Sequence, residues 1–324
     1  MYKRILSYKV ALWLAVLVFI GAGTSTIEAK KRIVFAGGPA GGTFQVVANS
    51  IQIYDPIKAL KDYNIKAQAS AGSTENLRLT DSGRANFGVM HSGQLWQASN
   101  GVLKGDTKKY KNVLAVSFLY VSPAQLVVKK NSGIKSVKDL IGKRVGVGNA
   151  GSGAFANCEL FFTHLGIWDK IDRNAMGYND AAQAFGNNQL DAFWLFTAYP
   201  SGAVILAAQT NDIAMIDLAK DAKDSGYFKA FPYLSELSIP AGTYRGVDTP
   251  VNSFQDSSIW VANKDVPAQL VYDMLNIIYT KKGLDYMHKA KSTFKDMSIA
   301  TGTNGIATAF HPGAIKFWKE KGKL

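Results

Sequence analysis

The sequence has little cysteine, little proline and no second long apolar run, and each shortage excludes a class of structure. Only one cysteine, Cys158, occurs in 324 residues, so the chain cannot form an intramolecular disulfide bond. Nine prolines are too few for a proline-rich or low-complexity chain. Beyond the N-terminal segment, no stretch approaches the roughly 20 apolar residues that a membrane-spanning helix needs. What remains is a globular chain that must be stabilised by its apolar core.

The N-terminal segment has the pattern of a secretory signal. Three basic residues precede residues 10–23, which are almost all apolar, and a cleavage pattern ends at Ala29. The segment contains no cysteine that could carry a lipid. We therefore expect residues 1–29 to be a cleaved signal peptide and the mature chain, 30–324, to be free in the periplasm. An uncleaved N-terminal anchor is the alternative.

The mature chain is basic, but its positive charge is dispersed. Removal of three basic residues and one acidic residue with the signal lowers the formal net charge from +13 to +11. The lysines are scattered over predicted helices and loops, and pairs such as Lys108-Lys109 are typical of solvated faces. We expect no nucleic-acid partner and only a weak attraction for anionic solutes.

Short apolar runs alternate with helical segments, which indicates an α/β architecture with mainly parallel sheets. Strands are predicted at 32–35, 65–68, 87–90, 113–119, 124–128, 144–147, 192–195, 213–216 and 258–261, and helices at 43–60, 74–82, 137–140, 154–165, 181–187, 199–209, 267–280 and 313–321. We divide the mature chain into two α/β lobes, residues 30–121 with 246–324 and residues 122–245. Two crossings between the lobes predict a hinge and an interlobe cleft for a ligand.

The loop 36–44 is the most informative segment, because it is rich in glycine and lies between a predicted strand and a predicted helix. A helix that begins near Thr43 presents free N–H groups and the positive end of its dipole, which together favour an anion. Gly42, Thr43 and Phe44 are therefore predicted ligand-binding residues. An ordinary turn between a strand and a helix is the alternative.

The same arrangement recurs twice further along the chain. Ser73 and Asn76 lie at the start of the helix predicted at 74–82, where the alternative role of Ser73 is to cap that helix. Asn149, Ser152 and Gly153 lie between the strand predicted at 144–147 and the next helix. We expect the second group to bind polar atoms of the solute from the opposite wall of the cleft.

Two strand ends supply the remaining predicted site residues. His91 and Ser92 follow the strand at 87–90 and are expected at its exposed tip, where His91 either neutralises an acidic ligand or is an ordinary surface histidine. Trp194 and Phe196 share one face of the strand at 192–195, because side chains alternate along a strand. That face is expected to contact the carbon skeleton of the solute, with packing in the core as the alternative.

Residues 146–151 pose a competing interpretation, because Gly146, Gly148 and Gly151 fit the spacing of a dinucleotide-binding loop with Asp172 about twenty residues later. We do not adopt it, because the motif is in mid-chain and Asp172 ends no predicted strand. Cys158 shares an apolar helix face with Phe161, which is typical of a core position. The four histidines share no metal-ligand spacing, and no catalytic triad or carboxylate pair occurs, so we expect no metal, no cofactor and no enzyme activity.

Eight segments spread over nearly all of the mature chain carry a family resemblance. The most specific are Gly-Ser-x-Glu-Asn, Ile-Pro-x-Gly-Thr-Tyr and His-Pro-Gly-Ala. In chain order the eight are residues 41–43, 71–77, 137–145, 151–153, 191–194, 200, 239–244 and 311–314. In this order they resemble the TRAP-associated extracytoplasmic immunogenic (TAXI) family of solute-binding proteins.

The resemblance implies a type II periplasmic binding protein fold and a monomeric receptor. It implies delivery of a small, glutamate-like carboxylate or organic acid to a fused TRAP permease that an ion gradient drives. The chain departs from the family pattern at residues 44–46, so the solute itself stays open. Two alternatives remain: a receptor for an ABC transporter or a sensor kinase, and, less favoured, an enzyme of the same fold class.

Overall fold

The computed structural model describes residues 30–39 and 42–324, so the predicted signal at 1–29 lies outside the described residues. The strands are β1 (Lys31–Ala36), β2 (Tyr63–Gln68), β3 (Phe87–His91), β4 (Val113–Lys129), β5 (Arg144–Gly146), β6 (Asp172–Asn174), β7 (Ala192–Phe196), β8 (Ile213–Met215), β9 (Ser235–Ile239) and β10 (Val251–Asn263). The helices are α1 (Thr43–Ile53), α2 (Asp55–Lys58), α3 (Ser73–Asp81), α4 (Ser92–Asn100), α5 (Gly153–His164), α6 (Tyr178–Gly186), α7 (Gly202–Thr210), α8 (Ala219–Asp224), α9 (Tyr227–Ala230), α10 (Ala268–Ile278), α11 (Lys281–Ala290) and α12 (Pro312–Glu320). Short 3-10 turns occur at Val137–Leu140, Trp168–Lys170 and Ser292–Asp296.

The strands are hydrogen-bonded in the order β2-β1-β3-β10-β4-β7-β5-β6, with β9 beside β10 and β8 beside β4. Parallel pairs occur at both ends of this order, between β1 and its neighbours β2 and β3 and between β5 and its neighbours β6 and β7. The long central strands β4 and β10 pair antiparallel with each other. The predicted α/β class is confirmed, with parallel pairing confined to the two outer regions.

Two long strands connect the two halves of the molecule. The first part of β4 pairs with β10, and its last part, from Ala124 onward, pairs with β7 and β8. Apolar side chains form separate cores on the two sides of this crossing, one around Phe35 and Trp260 and another around Phe161 and Trp194. The cleft between these cores is where the ends of β1, β3, β5 and β7 meet.

The second crossing lies later in the chain than the sequence predicts. Residues from 246 onward are predicted in the first lobe, yet Val247 and Val251 pack beside Phe193, and Phe254 packs beside Trp194. The reason is that the first part of β10 pairs with β9, whose end Ile239 is buried in the same apolar cluster as Phe193 and Val251. The chain therefore returns to the first half within β10.

Several local differences have identifiable causes. The helix predicted over 43–60 ends at Ile53, because Pro56 lacks the N–H that a continuous helix requires, and Tyr54 is extended. The strands predicted at 113–119 and 124–128 are one strand, because the intervening residues remain paired with β10. The sequence analysis misses β6, β9, α4, α8, α9 and α11. Asp172 does belong to a strand, β6, but it begins that strand rather than ending it.

Candidate functional site

A small cavity lies between the two halves, where four helices begin. The residues at which α1, α3, α5 and α6 start line it together with side chains from β3 and β7: Pro39, Gly42, Thr43, Phe44, Ala71, Gly72, His91, Asn149, Ser152, Gly153, Ala154, Gly177, Tyr178, Phe196 and Thr197. Its volume of about 30 Å³ has room for about two water-sized groups. We call it the first cavity.

The helix starts give the first cavity a positive potential without a positive side chain. Gly42, Gly72, Ser152 and Gly177 are the N-cap residues of α1, α3, α5 and α6. Among the described residues, no side chain caps α1, α3 or α6, whereas Ser152 Oγ accepts a hydrogen bond of 3.0 Å from Phe155 N. Uncapped N–H groups and aligned helix dipoles stabilise a negative group placed among them.

The two halves approach each other closely at two glycines. Gly72 has φ +121° and ψ −150°, a conformation that is essentially restricted to glycine. A Cβ atom on Gly153 would lie 2.5 Å from His91 Cδ2 and 2.6 Å from Ser73 Oγ. There is consequently no space for a side chain at Gly153, and the cleft is closed at this point.

His91 lies at the centre of the closed cleft. Its ring centroid is 5.1 Å from that of Phe44 and 4.7 Å from that of Phe196, so it is held between aromatic rings of both halves. Burial lowers the pKa of His91 to about 3, so the imidazole is neutral near pH 7. The expectation of an exposed strand tip is therefore corrected, because Phe44 from one half and Phe196 from the other enclose the ring, which is 4% exposed.

Of the twelve predicted site residues, eight line the first cavity: Gly42, Thr43, Phe44, His91, Asn149, Ser152, Gly153 and Phe196. Ser73 lies directly behind this wall, where its Oγ accepts a hydrogen bond of 3.1 Å from His91 N. The other three lie outside the first cavity. Asn76 Nδ2 donates to Gly37 O at 2.6 Å and thereby holds the loop that precedes α1.

Ser92 and Trp194 contact other parts of the protein instead of the first cavity. Ser92 Oγ donates to the carbonyl of Gly305. Trp194 is fully buried and packs against Phe161 and Phe162 of α5. Trp194 does share a strand face with Phe196, but it lies two residues further from the strand end, about 7 Å back along the strand, where α5 covers it. Only the last residue of β7 on that face reaches the cleft.

The sequence analysis missed Gly72, Gly177, Tyr178 and Thr197. Thr197 Oγ1 lies 3.5 Å from Thr43 Oγ1, which joins the two halves across the cleft. Tyr178 OH donates to Phe196 O at 3.2 Å, and burial raises the pKa of Tyr178. A glycine followed by a helix start was the available signal at Gly177, but the three-residue strand β6 before it carries no apolar pattern.

A second, larger cavity adjoins the first and shares His91, Ser152, Gly153 and Phe196 with it. Its volume is about 290 Å³. The remaining lining residues are more polar and include charged side chains: Thr74, Leu77, Arg78, Gln94, Gln97, Leu103, Lys104, Asp106, Gly151, Phe155, Ala156, Asn157, Glu159, Leu160, Tyr233 and Asp256. These four shared residues, which we call the common wall, therefore lie between a small cavity lined by helix starts and a larger one lined by polar side chains.

Two of the family-like segments have structural explanations. Tyr244 OH donates to Gln125 Oε1 at 2.6 Å and accepts from Ser201 N at 2.9 Å, which ties the Ile-Pro-x-Gly-Thr-Tyr segment to β4. His311 Nδ1 accepts from Gly313 N at 3.3 Å at the start of α12. These segments therefore stabilise the fold at a distance from the first cavity.

Within residues 30–39 and 42–324, no group of three or more histidine, cysteine or acidic side chains is arranged to hold a metal ion. The helices in that part of the chain are all too short or too polar to cross a bilayer. Cys158 is buried in the second core, and burial raises the pKa of its thiol.

Two solved structures illustrate which known proteins have a similar fold. One is a protein from Bordetella bronchiseptica RB50, with 16% identity, a TM-score of 0.52 and coverage of 90% of this chain and 89% of that chain. Another is a binding protein component of an ABC phosphonate transporter from Pseudomonas aeruginosa, with 10% identity, a TM-score of 0.50 and coverage of 82% and 79%. At these identities the likeness shows the fold, in agreement with the predicted periplasmic binding protein architecture.

The sequence itself matches a family over most of its length. The model of the NMT1-like family matches residues 35–322, which include every residue that lines the two cavities. This match is broader than the predicted TAXI resemblance and does not single out that family. The chain belongs to the NMT1-like family.

Proposed function

We propose that this protein is an extracytoplasmic solute receptor whose two lobes close on a small carboxylate. The observation that carries the proposal is the convergence of four helix starts, two from each half, on the first cavity. Neither half alone supplies more than two of them. Binding an anion among them therefore favours the closed arrangement, which a membrane partner can recognise.

A carboxylate fits the chemistry of the first cavity better than a neutral group. Its lining includes no lysine or arginine, and His91 is neutral, so the favourable interactions for an anion come from N–H groups and helix dipoles. A carboxylate has two acceptor oxygens, which corresponds to the room for about two water-sized groups. A tetrahedral anion, such as the phosphonate in the name of one similar structure, is the alternative occupant.

The signal-like N-terminus and the absence of a lipid-bearing cysteine from it support a periplasmic location. For the membrane partner, two classes have support. The fold likeness to a binding component of an ABC transporter favours an ABC permease. The eight TAXI-like segments favour a fused TRAP permease, so it stays as the second candidate. Solute uptake into vesicles that contain the permease separates them, since only the ABC system requires ATP.

The test of the receptor is native mass spectrometry of residues 30–324, followed by gentle denaturation to release any bound molecule. We expect an adduct of a few hundred daltons or less that carries a carboxylate and is released chemically unchanged. A bare protein that also binds no carboxylate in titrations would contradict the proposal. Conversion of the released compound to a product would favour an enzyme of the same fold class.

Competition between anions tests the carboxylate directly. Pentanoate, pentylphosphonate and pentylsulfonate have the same carbon chain and differ only in the anionic group. We expect pentanoate to give the largest rise in melting temperature, because its headgroup fits the first cavity. A larger shift with the phosphonate or the sulfonate would assign the site to tetrahedral anions instead.

A further inference from the structure

An ion pair joins the two halves at a distance from the first cavity. Lys104, which follows α4 in the first half, has its Nζ 2.8 Å from Oε1 of Glu159, which lies on α5 in the second half. Lys104 Nζ also donates a hydrogen bond of 3.4 Å to Thr163 Oγ1, one helical turn further along α5. One ammonium group of the first half is thus bound by two side chains of the second.

A tyrosine joins the halves at a second place. Tyr233 precedes β9 and packs against the second core. Its ring lies directly on the first turn of α4, because a Cβ atom on Gly93 would be 2.2 Å from Tyr233 Cδ2 and Cε2. Tyr233 OH accepts a hydrogen bond from Gln97 Nε2, and its ring centroid is 5.7 Å from that of Trp96. A side chain of the second half therefore contacts three residues of α4 in the first.

Both contacts border the second cavity and are separate from the first. Gln97, Lys104, Glu159 and Tyr233 line the second cavity, and none of them belongs to the described lining of the first. A carboxylate held among the four helix starts need not touch them. Their contribution to the closed arrangement is therefore independent of the chemistry of the solute.

The size of the expected effect follows from the exposure of the ion pair. The side chain of Lys104 is 55% exposed and that of Glu159 is 25% exposed, so this pair shifts an equilibrium by up to about fivefold. Such a shift has little influence on folding. It acts directly on an equilibrium between open and closed halves, because the apparent affinity is proportional to the closed fraction when only the closed arrangement binds the solute.

We propose that the ion pair of Lys104 with Glu159 and the contacts of Tyr233 with Gly93 and Gln97 form a latch, which holds the halves closed whether or not a solute is bound. The latch raises the closed fraction and so increases the affinity for every solute of the first cavity by the same factor. The inference rests on the proposed receptor function for this effect on affinity only, since closing can be measured without a solute.

Charge reversals test the ion pair. Lys104→Glu places two carboxylates against each other and should weaken the binding of pentanoate about tenfold in calorimetric titrations. Glu159→Lys places two ammonium groups together and should weaken it about as much. The double variant, which carries both changes, forms the pair again with its charges exchanged and should bind within twofold of the native protein.

The two reversals also separate the latch from an effect of net charge. Lys104→Glu makes the protein more negative and Glu159→Lys makes it more positive by the same amount, so net charge would change the affinity for an anion in opposite directions. Lys281→Glu is the matched control, because Lys281 pairs with Asp285 of the same helix at 2.7 Å. We expect its affinity for pentanoate to stay within twofold of the native value.

The aromatic contact has its own matched pair of variants. Tyr233→Phe keeps the ring and removes the hydroxyl that Gln97 Nε2 binds, so it should weaken pentanoate binding about threefold. Tyr272→Phe removes a hydroxyl that donates to Glu320 at 2.8 Å within the first half, and should leave the affinity unchanged. An unchanged affinity in Tyr233→Phe would remove Tyr233 from the latch.

Distances between spin labels measure closing without a solute. The chain has one cysteine, Cys158, and it is buried, so nitroxide labels can be attached selectively after Lys61→Cys and Lys170→Cys, at exposed positions of the two halves. We expect the shorter, closed distances to predominate in the native protein. Lys104→Glu should increase the longer distances, and the double variant should restore the native distribution.

The outcomes separate the latch from the receptor proposal. If pentanoate binds but the reversals change neither affinity nor distances, or change the affinity in opposite directions, the latch is rejected and the receptor stands. If the distances respond and recover in the double variant but no carboxylate binds, the latch stands and the receptor fails. If no carboxylate binds and the distances do not respond, both fail. Weaker binding in both single reversals, with recovery of affinity and distances in the double variant, supports the latch.

Discussion

The two cavities share one wall but obtain their polarity in opposite ways. Around the first cavity, the starts of four helices provide N–H groups, and its lining side chains are uncharged. Around the second cavity, the polarity comes from side chains, with Asp256 buried and unpaired by any cation among the described residues. Backbone donors thus favour a negative group on one side of His91, and side-chain acceptors favour a positive group on the other.

This difference indicates which property of the site depends on the fold and which on single residues. The positive potential of the first cavity follows from helix positions, so no single side-chain substitution abolishes it. In the second cavity Asp106 and Glu159 are paired with Arg78 and Lys104, so its negative character depends chiefly on Asp256, and one substitution can change the preferred ligand. We therefore expect the loss of one side-chain group to weaken anion binding only in part, whereas one substitution in the second cavity can change the specificity for the rest of the solute.

The largest expected effect on affinity comes from a substitution that disrupts the common wall. Gly153→Leu places a side chain where Cβ alone would lie 2.5 Å from His91 Cδ2, so the lobes cannot close. We expect the affinity for carboxylates of every kind to fall at least 100-fold, equivalent to about 2.7 kcal/mol. Titration calorimetry measures the loss, and small-angle scattering should show an open molecule in the presence of ligand.

Gly202→Leu is the matched control, because Gly202 is also the first residue of a helix in the same half. A Cβ on Gly202 has no heavy atom within 4 Å, so the added side chain has space. Unchanged affinity in Gly202→Leu and lost affinity in Gly153→Leu would attribute the effect to closure. Equal losses in both variants would show that the common wall is unimportant.

A smaller effect is expected at the helix start that has a side-chain cap. Ser152→Ala removes the hydroxyl that caps Phe155 N at 3.0 Å and also lines both cavities. We expect it to weaken carboxylate binding by about 1–2 kcal/mol, roughly tenfold, and to lower stability by about 1 kcal/mol. The distances between spin labels on the two halves should stay the same without a solute, since the latch is intact.

Ser136→Ala controls for the loss of stability. Ser136 caps a short 3-10 turn in the same half and lines neither cavity. Its loss should lower the melting temperature without changing the affinity. Identical affinity in the Ser152→Ala variant and the native protein would remove the Ser152 hydroxyl from the site.

The two cavities also differ in how far the sequence could predict them. Thr43 and Ser152 were predictable because a strand end, a glycine-containing loop and a helix start are consecutive in the chain. Asp256 was not, because it lies within a long strand and reaches the site only through the pairing of β10 with β3. That pairing places Ser258 beside His91, more than 160 residues apart, and no local pattern encodes such a register.

Trp194 illustrates the same limit within one strand. Alternation correctly places Trp194 and Phe196 on a common face, but it does not reveal which of them α5 covers. The fold class was accessible because it depends on the order of elements. The depth of a side chain beneath α5 depends on packing between segments distant in sequence.

Two buried groups, His91 in the common wall and Asp256 in the second cavity, should oppose each other in the pH dependence of stability. Burial raises the pKa of Asp256 to about 7, so the folded protein holds an extra proton and this group lowers stability as pH rises from 4 to 7. Burial lowers the pKa of His91 to about 3, so this group raises stability as pH rises from 3 to 6.5. Between pH 4 and 6.5 the two contributions largely cancel.

Single substitutions should uncover each contribution. We expect the melting temperature of Asp256→Asn, relative to the native protein, to rise with pH between 4 and 6.5. That of His91→Gln should fall over the same range, and the double variant should follow the native curve. Because all other titrating groups are common to these proteins, parallel curves for all four would contradict the burial of both groups.

The smallest expected effect concerns a hydroxyl pair that joins the lobes beside the first cavity. Thr43 Oγ1 and Thr197 Oγ1 lie 3.5 Å apart, a long and therefore weak hydrogen bond. Thr43→Val and Thr197→Val each keep the branched shape and remove one hydroxyl, so each should weaken carboxylate binding by about 0.5–1 kcal/mol. If the contact acts only in closure, the double variant should lose no more than either single variant. Additive losses would instead mean that each hydroxyl contacts the ligand directly, and Thr197 would then join the carboxylate-binding residues.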